Sequence, residues 1–306
     1  MQYIIISTAV VDEIHFPGNS SVVEAGGGAG LYAYAGARLW HPSVGLCCGK
    51  GKDFSETLEP IFKKHNIPDS CMFNVHAETP KTIVNYQENG ERIETPVYGK
   101  DHYELFVAGI DELKAPLSEA KGAYLFKEAE DIAFWEALLS LKKEYGFSLL
   151  WELSASSAKP SSLGLVESVA SQVEILSLNR SEAHALYGED EQAVIERLRG
   201  LGIPLVFYRR GKQGALMITK DEIVAVPSDF SYALVDPTGA GNSSSAAVLV
   251  GFCEKRCPYE IGIMGTIAAG SNISQFGIAP LSDQATFDNA EERYLYFMHQ
   301  EKGENQ

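Results

Sequence analysis

The chain has 306 residues, of which 45% are hydrophobic, and this is enough to bury the core of one large domain. No apolar run is long enough to cross a bilayer, and Met1 to Ile6 carry neither a basic segment nor a cleavage site, so we expect no membrane partner. The formal charge of -16 argues against binding nucleic acid, which requires clustered lysine and arginine.

The N-terminal segment reads as a strand, a glycine-rich turn and a helix of small residues. The apolar strand Tyr3 to Ile6 runs on to Asp12, whose carboxylate is able to bind two adjacent sugar hydroxyls, although an isolated Asp is more simply a solvated turn acid. Gly26 to Gly30 precede the helix and let a ligand approach the main chain. The same glycines suggest a dinucleotide fold, but Leu31 breaks the GxGxxG pattern and no acid-terminated strand follows at the expected distance.

A hairpin is predicted after this segment. Residues Thr82 to Tyr86 alternate in polarity, and Glu88-Asn89-Gly90-Glu91 supplies a turn of the Asn-Gly type. A hairpin so close to the glycine-rich segment is well placed to cover a ligand as a lid. An ordinary edge hairpin fits these features equally.

From about residue 120, strands alternate with helical patterns, which predicts a mainly parallel sheet with right-handed crossovers. The predicted elements include a helix over Ile132 to Tyr145 and a strand over Ala215 to Ile218, which forms a hairpin with the strand before it. Ligands of such sheets bind at the carboxyl ends of the strands. Polar residues stand at these predicted ends, and Glu182 follows one turn into the next helix. The strand-end residues are Glu152, Asn179, Arg209, Arg210 and Asp236.

The segment Asp236-Pro237-Thr238-Gly239-Ala240-Gly241 joins a predicted strand, Tyr232 to Val235, to a predicted buried helix, Ala246 to Phe252. Its glycines permit unusual main-chain angles, and the first N–H groups of the helix lack intrahelical acceptors. Such a turn suits a phosphate or a developing oxyanion, and Asp236 is able to hold a cation or its water. The simpler alternative is a glycine-rich turn in which Asp236 is a cap.

These motifs resemble those of the ribokinase-like (PfkB) carbohydrate and nucleoside kinases over nearly the full length. The strongest match is the signature from Asp236 to Gly241. Supporting matches are Gly26-Gly27 with Ala33 and Ala37-Arg38-Leu39, Val44-Gly45, Asn179 to Glu182, and Arg210-Gly211 with Gly214. The resemblance implies an α/β three-layer fold with a central, mainly parallel sheet flanked by helices. It also implies one domain, residues 1–306, with a small β lid formed by about residues 12–20 and 72–106.

The resemblance further implies ATP and Mg²⁺ as cofactors and assigns roles to residues. The sugar or nucleoside site would be lined by Asp12, Gly26, Gly27 and Leu31. The nucleotide would be bordered by Asn179, Arg209, Gly211, Gly214, Asp236, Thr238 and Asn272, with Asn272 beside the adenine. The metal and its water shell would be organised by Asn179 and Glu182, and the transferring phosphoryl group would meet Gly239, Ala240, Gly241 and Asn242. Without the family pattern, Asn179 and Glu182 are better explained as capping residues of a helix.

Two positions depart from the family pattern. Asn242 stands where the family has an Asp that takes the proton from the acceptor hydroxyl, and an amide is not a useful base near pH 7. General-base help is worth about 10²- to 10⁴-fold, yet phosphoryl transfer depends mostly on positioning and charge stabilisation. The second departure is Leu31, where many members place an Asn. With Tyr32 and Tyr34 it suggests a less polar acceptor pocket.

Three interpretations remain open from the sequence. The first is an ATP-dependent kinase that phosphorylates a hydroxyl of a sugar-like or nucleoside-like molecule. The second is a catalytically impaired binding or regulatory protein on the same scaffold, and the third, weakened by the broken glycine pattern, is a nicotinamide-dependent oxidoreductase. The hairpin around Thr82 to Tyr86 fits a homodimer clasp and a monomeric lid alike. Five cysteines without a CxxC pair favour reduced thiols in the cytoplasm.

Overall fold

The computed structural model describes residues 1–18, 22–87 and 92–304, so the predicted turn Glu88 to Glu91 lies outside the described residues. The strands are β1 (Tyr3–Ile6), β2 (Val10–His15), β3 (Val22–Gly27), β4 (Val44–Cys47), β5 (Gly49–Lys50), β6 (Phe73–Asn74), β7 (Lys81–Tyr86), β8 (Arg92–Pro96), β9 (Gly122–Phe126), β10 (Ser148–Glu152), β11 (Ile175–Asn179), β12 (Leu205–Arg209), β13 (Ala215–Ile218) and β14 (Ile223–Val226). The helices are α1 (Gly28–Trp40), α2 (Glu59–His65), α3 (Asp101–Glu104), α4 (Ile110–Leu117), α5 (Ile132–Tyr145), α6 (Leu163–Ala170), α7 (Arg180–Tyr187), α8 (Glu191–Gly200), α9 (Ala240–Cys253), α10 (Pro258–Ile273) and α11 (Gln284–Glu304).

The main sheet has eight strands in the order β14-β13-β12-β11-β10-β9-β1-β4. The strands from β12 to β4 in this order are parallel, whereas β13 and β14 are added antiparallel at one edge. The carboxyl ends of β9, β10, β11 and β12 therefore lie side by side. This places residues that follow these strands at one edge of the sheet.

Helices cover both faces of the main sheet because its strands are apolar on both faces. Ile5 and Leu150 pack in a core with α1, α9 and α10, while Ile4 and Leu149 pack in a second core with α4 to α8. The predicted three-layer α/β fold with a mainly parallel sheet is confirmed. No helix in the described ranges combines the length and the apolar character needed to cross a membrane.

A second, smaller sheet has the strand order β3-β2-β7-β8. The predicted continuation of β1 to Asp12 is a separate strand, β2, which pairs antiparallel with β3 and parallel with β7. We call these strands the small sheet. Since β3 runs directly into α1, the small sheet is attached to the helix layer that also contains α9.

The predicted strand Tyr232 to Val235 is wrong, because this segment forms no strand. Its residues have good strand propensity, but its main chain bonds to a helix rather than to the sheet. The N–H groups of Val235 and Asp236 both donate to the carbonyl of Ile273 at the end of α10, at 2.8 and 3.1 Å. Asp236 thus follows an irregular segment, and it does not stand at a strand end.

Candidate active site

The turn before α9 provides main-chain donors at the amino end of that helix. Gly239 is the N-terminal cap and has a φ of +75°, a left-handed conformation that favours glycine. The N–H of Ala240 donates back to the carbonyl of Pro237 at 3.4 Å. Among the described residues, the N–H groups of Gly241 and Asn242 have no main-chain acceptor. These two donors and the positive end of the helix dipole suit an anionic oxygen.

Three of the predicted nucleotide residues build this turn. Oδ1 of Asp236 accepts hydrogen bonds from the N–H and the hydroxyl of Thr238, at 2.9 and 2.5 Å. Nδ2 of Asn272 donates to the carbonyl of Thr238 at 2.6 Å, and Asn272 is buried. None of the three lines the adjoining cavity, and the position of Asn272 beside an adenine stays a prediction. Their contacts fix the turn from behind.

A cavity of about 440 Å³ opens in front of the turn, between the ends of β12 and β13 and the helices α9 and α10. It has the size of a small-molecule site. The predicted residues that line it are Asn179, Arg209, Gly211, Gly214, Ala240 and Gly241. A second cavity of about 520 Å³ contains none of the predicted site residues, and its lining includes Ser148 and Leu205, which begin β10 and β12. It therefore lies at the other end of the sheet.

One wall of the 440 Å³ cavity is the segment of residues 228–234. Phe230 belongs to the lining and is 75% exposed, which leaves its ring accessible to a ligand. Asp229 anchors the segment through two hydrogen bonds from the Arg293 guanidinium, at 2.8 and 2.9 Å. Tyr232 packs so closely on Gly270 that a Cβ there would lie 2.2 Å from its ring. The wall is thus held by α10 and α11.

Two carboxylates and one guanidinium meet beside Gly241. Nη2 of Arg209 lies 3.0 Å from Oε1 of Glu152 and 3.9 Å from Oε2 of Glu182. Nη1 of Arg209 lies so close to the turn that a Cβ on Gly241 would be 1.9 Å from it. Arg209 therefore places a positive charge against the amino end of α9.

Asn179 and Glu182 form a capping box at the start of α7. The side chain of Asn179 accepts from the N–H of Glu182 at 2.9 Å, and Oε2 of Glu182 accepts from the N–H of Asn179 at 2.7 Å. The capping alternative thus describes a real part of their role. Burial raises the pKa of Glu182, and the nearby Arg209 partly offsets this effect.

These residues fit a Mg²⁺–nucleotide complex. In the described part of the chain, no group of three or more His, Cys, Asp or Glu side chains forms a dedicated metal cage. Mg²⁺ bound with a nucleotide needs only one or two carboxylates, because phosphate oxygens and waters complete its shell. Oε1 of Glu182 is not used in the capping box and is able to serve this purpose. The donor set is consistent with the magnesium role that the sequence predicts.

A buried network connects Asn242 to Glu152. Nδ2 of Asn242 donates to the hydroxyl of Tyr124 at 3.0 Å, and this hydroxyl donates to Oε2 of Glu152 at 2.6 Å. Sequence reasoning found Glu152 only as a strand-end acid and missed Tyr124 altogether. No local signal marks Tyr124, since it is one apolar-strand residue among several and lies far from Asn242 in sequence.

The predicted acceptor residues lie where the small sheet joins α1. The carboxylate of Asp12 covers Gly27, since a Cβ on Gly27 would be 1.7 Å from Oδ2 of Asp12. Gly26 is opposite Val11 in the pairing of β2 and β3. Leu31 is completely buried in the core, and its contact with a substrate stays a prediction.

Tyr32 on α1 contacts the turn before α9. A Cβ on Gly239 would lie 2.0 Å from the Tyr32 ring. Because an α-helix rises 1.5 Å per residue, Tyr32 lies roughly 8 Å along the helix axis from Gly27. Tyr32 thus connects the start of α1, where Asp12 covers Gly27, to the turn before α9.

The fold and this site define an α/β protein in which the amino end of a helix, a guanidinium and a cavity meet at one edge of a mainly parallel sheet. The family model of the pfkB family carbohydrate kinases matches residues 3–284. The chain belongs to this family.

Similar proteins with a stated activity are kinases. The chain is 27% identical over 284 residues to a cytidine kinase of Thermococcus kodakarensis, covering 90% of this chain and 98% of the relative. The adenosine kinase structure from Sinorhizobium meliloti matches with a TM-score of 0.78 at 22% identity, over 95% of this chain and 98% of the other. An Arabidopsis thaliana ribokinase solved with ribose and ATP matches with a TM-score of 0.73 at 17% identity, over 94% and 97% of the two chains. The family and the cytidine kinase relative support a kinase function in general, and the two solved structures support the fold.

Proposed function

We propose that this protein is an ATP-dependent, Mg²⁺-requiring kinase that transfers the γ-phosphoryl group to a hydroxyl of a sugar-like or nucleoside-like molecule. The observation that carries the proposal is the convergence of Arg209, Gly241 and Asn179 on one cavity at the amino end of α9. A positive side chain and free main-chain donors at one point are what a terminal phosphate requires. Membership in a family of carbohydrate kinases supports the same reaction class.

Each group has a distinct part in the proposed reaction. Bound Mg²⁺–ATP supplies the phosphoryl group and a divalent charge that offsets the phosphate charge. The N–H groups of Gly241 and Asn242, with the Arg209 guanidinium, bind the oxygens on which negative charge develops. Glu182 orients the metal and its waters through its unshared carboxylate oxygen. Asn242 orients the acceptor hydroxyl by accepting its hydrogen bond.

The proposed acceptor site lies between Asp12 and the turn before α9. A carboxylate at Asp12 is suited to bind two hydroxyls of a sugar ring. On the neighbouring strand, the Thr82 hydroxyl lies 2.7 Å from the Tyr103 hydroxyl, which adds polar groups next to Asp12. The small sheet would act as the lid over this site, as the resemblance implies.

Aromatic contacts support a lid that rests on the body of the protein. The ring of Phe16, which directly follows β2, is stacked at 5.5 Å on the ring of Tyr86, which ends β7. The Phe16 ring also meets the Phe276 ring edge-on at 5.2 Å. Phe276 precedes Gly277, which packs against Ala25 and Gly26 of β3. These contacts place apolar surface beside the proposed acceptor site, which suits a substrate that carries a ring.

The alternative function, nucleotide binding without turnover, is favoured by one observation. Asn242 provides no ionisable group at the position where the family pattern has its base. Both functions require the phosphate site, and only the kinase requires transfer. The two are therefore separated by measuring binding and turnover on the same preparation.

The test begins with calorimetric titration of ATP in the presence of Mg²⁺, followed by assay of ADP release over a panel of sugars and nucleosides. The proposal requires binding and acceptor-dependent ADP release. Arg209→Gln should weaken ATP binding by about tenfold or more, since a charge-assisted hydrogen bond is lost. Arg197→Gln is the matched control, because Arg197 forms a bidentate pair with Glu167 on the protein surface. Binding without any acceptor-dependent release would favour the regulatory alternative, and absence of binding would contradict both.

A further inference from the structure

We propose that Glu152 is a positioning residue for phosphoryl transfer. One carboxylate oxygen holds the Arg209 guanidinium beside Gly241, and the other, through Tyr124, holds the Asn242 amide. This inference rests on the proposed function. It assigns a task to a buried acid that contacts neither the nucleotide cavity nor the acceptor residues directly.

The Tyr124 hydroxyl determines which end of the Asn242 amide faces it. A phenol has a single proton, and this proton is donated to Glu152. Burial, and then the Glu152 charge, hold the pKa of Tyr124 well above its usual value, so the phenol stays protonated. Its oxygen therefore accepts a hydrogen bond from Asn242, and only the Nδ2 end of the amide is able to donate it.

The fixed amide leaves the carbonyl oxygen of Asn242 as the group available to the acceptor. Asn242 is half-buried in the first turn of α9, and its Nδ2 already donates to Tyr124. Oδ1 accepts a hydrogen bond and cannot donate one, so it selects the acceptor orientation in which the hydroxyl hydrogen points to Oδ1. A lone pair of the hydroxyl oxygen is then free to form the new bond to phosphorus while the bond from phosphorus to the bridging oxygen of ATP breaks. ADP leaves, and the hydroxyl proton passes to an oxygen of the transferred phosphoryl group, since the amide does not take it. Orientation of this kind is worth up to about 10²-fold for a 1 Å displacement.

The same network explains why a carboxylate does not fit at this position. An Asp at position 242 cannot donate to Tyr124, and it would add a third carboxylate to Glu152 and Glu182 around the single Arg209 guanidinium. Like charges in a buried site raise the pKa of a carboxyl and oppose its ionisation. Asn242→Asp is therefore expected to gain no activity. Removing the charge of Glu152 as well should relieve the repulsion and free the Tyr124 proton for the new acid.

The experiment compares Tyr124→Phe, Glu152→Gln, Asn242→Asp and the double variant Asn242→Asp/Glu152→Gln. Kinetic constants for ATP and the best acceptor, and melting temperatures, are measured for each. Tyr187→Phe is the matched control for the phenol, because the Tyr187 hydroxyl is buried and has no hydrogen-bond partner in the described residues. Glu254→Gln is the control for the carboxylate, because Glu254 accepts from Tyr3 at 2.6 Å at the opposite end of the sheet.

Tyr124→Phe should lower kcat about 10- to 100-fold and leave KM for ATP unchanged, because it releases the amide while Oε1 of Glu152 still holds Arg209. Glu152→Gln should lower kcat and raise KM for ATP, because it also releases Arg209. Both controls should keep wild-type constants. The double variant should exceed Asn242→Asp in kcat and in melting temperature.

Wild-type kcat in Tyr124→Phe, or a gain of kcat in Asn242→Asp alone, would overturn the positioning role. Absence of turnover in the wild-type protein would instead overturn the proposed function. The melting temperatures would still test the network in that case. A double variant that melts no higher than Asn242→Asp would contradict it.

Discussion

Gly239 provides the sharpest test of the turn on which the site is built. Gly239→Ala introduces a Cβ at a residue with a φ of +75° and into the ring of Tyr32, whose Cγ would be 2.0 Å away. Both effects act on the folded protein at once. The substitution should therefore destabilise more than the left-handed main chain alone explains.

The magnitude follows from the two contributions. A non-glycine residue in the left-handed region costs about 1–2 kcal/mol. Forcing a buried ring such as Tyr32, which is 3% exposed, to move adds about 1–3 kcal/mol. We expect the free energy of unfolding to fall by about 2–5 kcal/mol.

Urea denaturation of Gly239→Ala beside Gly146→Ala measures the difference. Gly146 ends α5 with a φ of +78°, and a Cβ there meets nothing within 4 Å, so this control reports the main-chain contribution alone. In a Tyr32→Ala background, the effect of Gly239→Ala should shrink to that of Gly146→Ala. Equal losses for the two glycines in the wild-type background, within about 0.5 kcal/mol, would refute the reasoning.

Three further predictions concern the surroundings of the turn. Asp229→Asn should lower the free energy of unfolding by about 3 kcal/mol at pH 7, because it leaves the half-buried Arg293 without its charge partner. Denaturant midpoints measure this loss. Burial acts to raise the pKa of Asp229, but the hydrogen bonds from Arg293 and Ser231, together with the Arg293 charge, hold this pKa below its usual value. The stabilising effect of Asp229 should therefore be present above the unfolded pKa and disappear as the pH falls through the folded value. The pKa of Glu182 is raised, so its carboxylate takes up a proton at a higher pH than an ordinary Glu does. As the pH is lowered, the Mg²⁺-dependent affinity for ATP should therefore begin to fall early. Glu182→Gln should flatten the pH dependence of this affinity, measured by calorimetry. Gly241→Ala should weaken ATP binding about tenfold, because its Cβ would displace Nη1 of Arg209, and unaltered affinity would contradict the placement of that guanidinium.

The layered fold was predictable because local signals and tertiary packing agree along most of the chain. The helix predicted over Ile132 to Tyr145 has these bounds in the structure, since Asp131 caps its first turn and Gly146 ends it in a left-handed conformation. The predicted strand Ala215 to Ile218 is likewise present and pairs antiparallel with β12. Apolar strands with polar residues at their ends indicate both the sheet and the edge at which a site forms.

The sequence was least informative where a residue contacts an element that is distant in the chain. The segment Tyr232 to Val235 has strand propensity, yet its N–H groups find the end of α10 before they find a strand. The sequence also gives no sign that the Asn272 amide bonds to the turn before α9, while its position beside an adenine stays a prediction. Leu31 belongs to the core because α1 packs tightly against α9, where a Cβ on Gly36 would be 2.0 Å from the carbonyl oxygen of Ser243.

The neutral residue at position 242 has a different meaning in the structure than in the sequence. In the sequence, Asn242 is the loss of a base. In the structure, the Asn242 amide is linked through Tyr124 to the carboxylate of Glu152, which also balances the charge of Arg209. Because transfer of a phosphoryl group depends more on alignment and charge than on early removal of the proton, an oriented amide is compatible with turnover. The acid on β10 and the amide on α9 therefore act as one unit, and a carboxylate at position 242 is expected to become useful only when the charge of Glu152 is removed as well.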